Sequence, residues 1–187
     1  ITTPNAAVNM NKLLQISCGA VYTDNGETLE FDIKHRYKVL REVIDESSKK
    51  VLVFVPFKHV IDILVAKLKG AGITTEIIRG DVSASKRTDI FKRFQTMDDP
   101  KVLVIQPQAA AHGVTLTAAN TVVWWGPTSS LETYLQANAR VHRSGQDHKC
   151  TVVQLQSSDV EKRIYSLLDN RINIHTKIVD LYKDLLD

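Results

Sequence analysis

Apolar residues along this 187-residue chain alternate between two spacings, one helical and one extended. From Phe31 to Glu46 the residues Ile33, Tyr37, Leu40 and Ile44 recur at three- and four-residue steps, which predicts an amphipathic helix. Val51 to Val55 is an unbroken apolar run ending at Pro56, the pattern of a strand covered on both faces, as in parallel sheets. Val60, Ile61, Leu64, Val65 and Leu68 then form a helical stripe closed by Gly70 and Gly72. The alternation continues with a strand at Ile73 to Ile78, a helix at Ser83 to Gln95, and strands at Val102 to Ile105 and Thr121 to Trp124. A helix at Ser130 to Arg143, a strand at Thr151 to Leu155 and a helical tail from Asp159 to Leu186 complete it. Ahead of all this, a short helix around Met10 to Ile16 and the turn-rich Thr23-Asp24-Asn25-Gly26 read as a lead-in. Strands alternating with helices predict βαβ units and an open, mainly parallel sheet with helices on both faces. In such sheets ligands collect at the carboxyl ends of the strands. The expected organisation is a lead-in over residues 1–34, an α/β lobe over 35–158, and a helical tail over 159–187 packed on the lobe.

Composition narrows the class without choosing a function. An apolar share of 43% and a charged share of 24% are those of an ordinary folded domain and exclude collagen-like or disordered chains. No apolar run approaches the about 18 residues of a spanning helix, and the first residues lack the pattern of a signal peptide, so no membrane partner is expected. The two cysteines, Cys18 and Cys150, have no partner at metal-ligand spacing, which suits a reducing compartment, the cytoplasm or a eukaryotic nucleus, and leaves no metal ligands to assign. A net charge of +3 is compatible with nucleic acid but does not require it.

The chemistry-bearing segment is Gln136-Ala137-Asn138-Ala139-Arg140-Val141-His142-Arg143-Ser144-Gly145-Gln146. On a continuous helix, Gln136, Arg140 and Arg143 fall at i, i+4 and i+7, so an amide and two guanidiniums share one face. Guanidinium stays charged at any working pH and grips phosphate through two parallel hydrogen bonds. A solvated helix face carrying surface ion pairs has the same spacing. The segment also resembles motif VI of superfamily two helicases in the Swi/Snf form, Q-A-x-G-R-x-H-R-x-G-Q, with Ala139 where the family has glycine. That resemblance implies a RecA-like three-layer sandwich. It also implies that Arg140 and Arg143 are arginine fingers which, with Gln136, reach ATP held by another lobe. A finger of this kind contributes roughly 10³ to 10⁵ in rate. The stretch from Val122 to Glu132 most resembles the bacterial and phage branch of these ATPases.

Gln106 to Asn120, which leaves a buried strand through small residues and Gly113, resembles motif V, with Thr115 where the family commonly has Asn. A small-residue loop lets backbone N–H groups approach a phosphate, so Gly113 is a nucleotide-contact candidate. Lys58, Arg79, Gln108, His112 and Thr115 are the candidates for contact with DNA backbone. Val51 to Phe57 resembles motif IV, and Arg79-Gly80-Asp81 with Arg87 and Phe94 resembles a further family stretch. Lys12 to Gly19 resembles the segment between the family's two lobes. Phe91 and Phe94 share a helical stripe and read as core, and His35, His59, His148 and His175 as surface residues.

No G-x-x-x-x-G-K-[ST] phosphate loop is present, and Val43-Ile44-Asp45-Glu46, though acidic, ends a helix. The resemblance therefore implies the second motor lobe of an ATP-dependent DNA translocase or helicase. ATP and magnesium would be held mainly by an N-terminal RecA-like lobe outside this chain. The chain alone is expected to be monomeric and without ATPase activity. Its expected partners are that lobe and DNA, mainly duplex and bound without regard to sequence. A stand-alone module that binds nucleic acid or protein without ATP chemistry is the alternative. A small-molecule enzyme on an unrelated doubly wound sheet is disfavoured because no G-x-G-x-x-G follows the first strand.

Overall fold

A computed structural model of the chain describes residues 3–23, 25–111, 113–172, 174 and 177. Helix α1 (Thr3–Cys18) leads into a hairpin of β1 (Ala20–Tyr22) and β2 (Thr28–Glu30). Then follow α2 (Lys34–Glu46), β3 (Lys50–Phe54), α3 (Lys58–Gly70), β4 (Thr75–Ile78), α4 (Ala84–Thr96) and β5 (Val102–Ile105). A short 3-10 turn (Pro107–Ala111), β6 (Ala119–Trp124), α5 (Leu131–Asn138), β7 (Thr151–Gln154) and α6 (Asp159–Asp169) complete it. Strands β3 to β7 form one all-parallel sheet in the order β4-β5-β3-β6-β7.

The continuous apolar strands are explained by two cores, one on each face of this sheet. Successive side chains on a strand point to opposite faces. Val51, Val53, Val55, Val102 and Val104 therefore pack with the stripes of α2 and α3, including Leu40, Ile44, Ile61 and Leu64. Leu52, Phe54, Leu103, Ile105 and Trp124 face the other way, against α1, α4, α5 and α6. Phe91 and Phe94 belong to this second core. Among the described residues no helix is long and apolar enough to cross a membrane.

Several boundaries differ from the sequence expectation. α1 runs well beyond a short helix at Met10 to Ile16, because Met10 and Leu14 supply one core and Cys18 the other. The lead-in is thus packed into the lobe. α6 stops at Asp169, where Arg171 takes a left-handed backbone (φ 57°), so the tail does not continue as one helix from Asp159. Beyond Ile172 the expected tail and His175 lie outside the described residues, apart from Ile174 and Lys177. His59 is buried at the start of α3, its Nε2 2.9 Å from the Ala20 carbonyl and its ring edge-on to Tyr22, which ties the hairpin to the sheet. A histidine at the start of a helix gives no sequence signal of that contact.

Candidate functional site

The helix expected to carry the three motif VI side chains ends early. α5 begins with Ser130 as its N-cap, accepting from Thr133 N–H, and stops at Asn138. After it the chain tightens: Arg140 N–H bonds to Ala137 and Val141 N–H to Asn138. Two tertiary contacts hold this turn. Val141 is driven into the core with 1% exposure, and the Arg140 carbonyl accepts from Leu116 N–H at 2.9 Å. Gln136, Arg140 and Arg143 therefore do not line one helical face. Gln136 stays on α5 and donates to Glu132 at 2.9 Å, whereas both arginines lie beyond the helix, close to the motif V segment.

That second segment is what the arginines meet. Arg143 is exposed and donates from Nη1 to the Gly113 carbonyl and to Thr115 Oγ1, each at 3.1 Å. Its hydrogen-bond partners here are neutral oxygens. Arg140 is buried, and burial, followed by the neighbouring Arg143 charge, holds its guanidinium below the usual range. Two positive groups placed side by side with few carboxylates raise the local potential and favour an anionic ligand. Gln146 locks the arrangement: its amide donates to the Ala119 carbonyl at 2.8 Å and the Thr117 carbonyl at 3.3 Å, and accepts from His148 N–H at 3.1 Å.

Topology separates the remaining candidates from this cluster. Thr115, Arg140 and Arg143 gather at the amino ends of β6 and β7, since residues 115–118 lead into β6 and residues 144–150 into β7. Lys58, Arg79 and Gln108 follow the carboxyl ends of β3, β4 and β5, at the opposite edge of the parallel sheet. Lys58 and Gln108 are exposed there. Gln108 borders a recess of about 310 Å³ between α1 and the strand ends, walled also by Phe57, Thr128 and Ser129. Arg79 is already engaged: Asp62 lies at 2.6 Å and Asp81 at 2.9 Å from its guanidinium. Its charge is largely neutralised, which weakens it as a phosphate contact. His112 lies outside the described residues.

A buried node that the sequence reading did not assemble holds the end of β6. Arg36 donates through Nη2 to both Glu161 oxygens, at 2.7 and 2.6 Å, and through Nη1 to the Trp125 carbonyl. Glu161 also accepts from Ser157 N–H at 2.8 Å, and Trp125 Nε1–H donates to the Cys18 carbonyl at 2.8 Å. One node thus joins α1, α2, α6 and the chain leaving β6. Two signals were present: Arg36 occupies the apolar stripe between Ile33 and Leu40, and Ser158-x-x-Glu161 has capping-box spacing. Among the described residues no group of three or more His, Cys, Asp or Glu could hold a metal ion.

Comparison with known proteins agrees with this architecture. The family model described as "Helicase conserved C-terminal domain" matches residues 35–145. Chromodomain-helicase-DNA-binding protein 1-like of Danio rerio is 30% identical over 138 residues, covering 73% of this chain and 13% of that protein. ATP-dependent helicase FUN30 of Saccharomyces cerevisiae is 26% identical over 142 residues, covering 75% of this chain and 13% of that protein. An uncharacterized ATP-dependent helicase of Mycoplasma genitalium is 29% identical over 149 residues, covering 75% and 14%. The relatives are mostly eukaryotic and do not single out the bacterial and phage branch. Among solved structures, the C-terminal part of the Fun30 ATPase domain superposes with a TM-score of 0.71 at 23% identity, over 84% of this chain and 53% of that one. The C-terminal domain of the DEAD-box protein Dbp5 gives 0.61 at 23% identity, over 73% and 77%. These two likenesses are of fold.

Proposed function

Because the chain belongs to the helicase conserved C-terminal domain family, in its Snf2-like form, we propose that it is the second motor lobe of an ATP-dependent DNA translocase. The observation that carries this reading is the exposed Arg143 guanidinium, held on Gly113 and Thr115 beside Arg140 and bonded to neutral oxygens. A guanidinium in that state can exchange those contacts for phosphate oxygens without breaking an ion pair. Arg140, buried behind it, adds fixed positive charge that costs little reorganisation when an anion arrives.

The residues present fit part of a nucleotide site. ATP and magnesium would be held mainly by a first lobe, since this chain has no phosphate loop, and ATP would supply the phosphoryl group that is transferred to water. Arg143 and Arg140 would offset the negative charge that builds up during that transfer. Gln136, tied to Glu132, would act through the position of the turn after α5 rather than by direct contact. Lys58 and Gln108, at the opposite edge, would meet DNA phosphates without reading bases. Separate edges for nucleotide and DNA suit a lobe that moves as a rigid body between them.

In a polypeptide carrying both lobes, Arg143→Ala should lower kcat by about a hundredfold or more, close to 2.7 kcal/mol, with DNA affinity nearly intact. Turnover within a few-fold of the parent would refute the finger assignment. DNA-stimulated hydrolysis by the 187-residue chain alone would refute the division of labour, and an assembly that binds DNA without ever hydrolysing ATP would favour the stand-alone module.

A further inference from the structure

Past Arg143 the chain does not run straight into β7 but curls into a loop that encloses a recess of about 450 Å³. Its walls carry His142, Arg143, Ser144, His148 and Lys149. The loop's one carboxylate, Asp147, is exposed and does not line the recess. Among the described residues no salt bridge engages Arg143 or Lys149. Elsewhere on the lobe Arg41, Arg79 and Arg93 have carboxylate partners, while Arg87 is bonded to backbone carbonyls. This recess gathers two cations, Arg143 and Lys149, with the polar side chains of His142, Ser144 and His148 and no carboxylate in its walls.

The loop is also held in shape before any ligand arrives. The Gln146 amide nitrogen anchors it underneath to the Thr117 and Ala119 carbonyls, and the amide oxygen accepts from His148 N–H. Gly145 supplies the reversal with a left-handed backbone (φ +91°), which other residues rarely adopt. The Cys150 thiol donates to the His148 carbonyl at 3.8 Å and fixes the exit. A loop backbone fixed in advance loses less entropy on binding than a mobile one does.

We propose that this recess is a phosphate-binding site for the polyphosphate of a nucleotide, with Lys149 and His148 as ligands beyond Arg143. The proposal rests on the nucleotide-facing reading of Arg143 and extends it to residues outside the motif VI pattern. A tetrahedral, multiply charged group with acceptors on every side matches donors arranged around a concavity better than a planar carboxylate does. A concave site on the amino edge, away from Lys58 and Gln108, also favours a compact anion over a DNA backbone track.

The test is calorimetric and NMR titration of the 187-residue chain with sodium tripolyphosphate, and separately with a short duplex DNA. Saturable, salt-sensitive tripolyphosphate binding with shifts at residues 142–150 is expected. Lys149→Ala and His148→Ala should each weaken it by about fivefold, while Lys149→Arg stays within about twofold. Both positions are exposed and leave the cores untouched, so loss of fold is not an alternative explanation; circular dichroism checks this. Unchanged affinity in Lys149→Ala, no saturable binding, or binding of duplex DNA alone would overturn the proposal. Failure of the motor reading is seen elsewhere, in normal turnover by Arg143→Ala in the two-lobed protein, and it can occur with or without tripolyphosphate binding here.

Discussion

Replacing Glu161 by Gln tests whether the buried node holds the lobe together. Glu161 is 0% exposed and its partner Arg36 has 5% of its side chain accessible, so neither charge is solvated. The substitution keeps the shape and one acceptor oxygen but removes the negative charge that two short Arg36 contacts share. Breaking one side of a buried ion pair costs about 3–5 kcal/mol, because the remaining charge is left in a medium that cannot solvate it. Arg36 keeps the Trp125 carbonyl, Ser157 Oγ at 2.6 Å and the Trp125 ring at 5.6 Å, which offset part of the loss. The lower end of the range, about 3 kcal/mol, is therefore expected. That is a large share of the about 5–15 kcal/mol typical of a domain, and corresponds to a fall in Tm of roughly 6–12 °C for a chain of this size. Urea unfolding followed by tryptophan fluorescence reads it directly, since Trp124 and Trp125 are both fully buried. Removing both charges together, Arg36→Met with Glu161→Leu, should recover much of the loss, because no buried charge is then uncompensated. A Glu161→Gln protein within about 0.5 kcal/mol of the parent would show that the buried ion pair does not hold the lobe together.

Two further outcomes follow from burial and backbone geometry. Burial pushes the Cys18 thiol from its ordinary 9.0 up to about 12, with the nearby Arg36 opposing and Glu161 adding to the shift. Native protein at neutral pH should therefore release one equivalent of thiol to a disulfide reagent, from Cys150, and the second only in denaturant; rapid native labelling of both would contradict the packing. The unfolded chain loses the Cys18 proton first, so this contribution to stability is whole below pH 9 and is lost as pH rises toward 12. The loss is about 1.4 kcal/mol per unit across that window. Tyr165, whose hydroxyl is held well above its ordinary 10.0 mainly by burial, acts with the same sign. A Cys18→Ala protein should show a shallower alkaline decline. Gly19 has φ +108° and a Cβ there would meet Ile33 Cγ2, whereas Gly26, at φ +80°, has open space around it. Gly19→Ala should cost about 3 kcal/mol and Gly26→Ala about 1 kcal/mol. Equal urea midpoints for the two would show that the contact does not matter.

Much of the lobe was legible because its strongest signals are local. A run such as Val51–Val55 must be buried on both sides, and Ile61, Leu64 and Leu68 must face one way on a helix; both conclusions need only the period of the backbone. The spacing of Arg140, Arg143, Gly145 and Gln146 identified the segment that carries the proposed chemistry. What it could not convey was the shape of that segment, because α5 ends where Val141 enters a core and Leu116 takes the Arg140 carbonyl.

Local order along the chain was thus enough to read the lobe's main helices and strands, the parallel sheet and the family, but not the β1–β2 hairpin or the ends of α1, α5 and α6. Tertiary structure alone decided that Arg36 meets Glu161, 125 positions away, that His59 is buried under the hairpin, and that the phosphate-contact candidates divide between two edges of the sheet. The physical reason is that a hydrophobic period records whether a side chain is covered, not by what. Which strand ends become neighbours, and which charges share a pocket, depends on strand order, and that exists only once the whole chain has closed around its two cores.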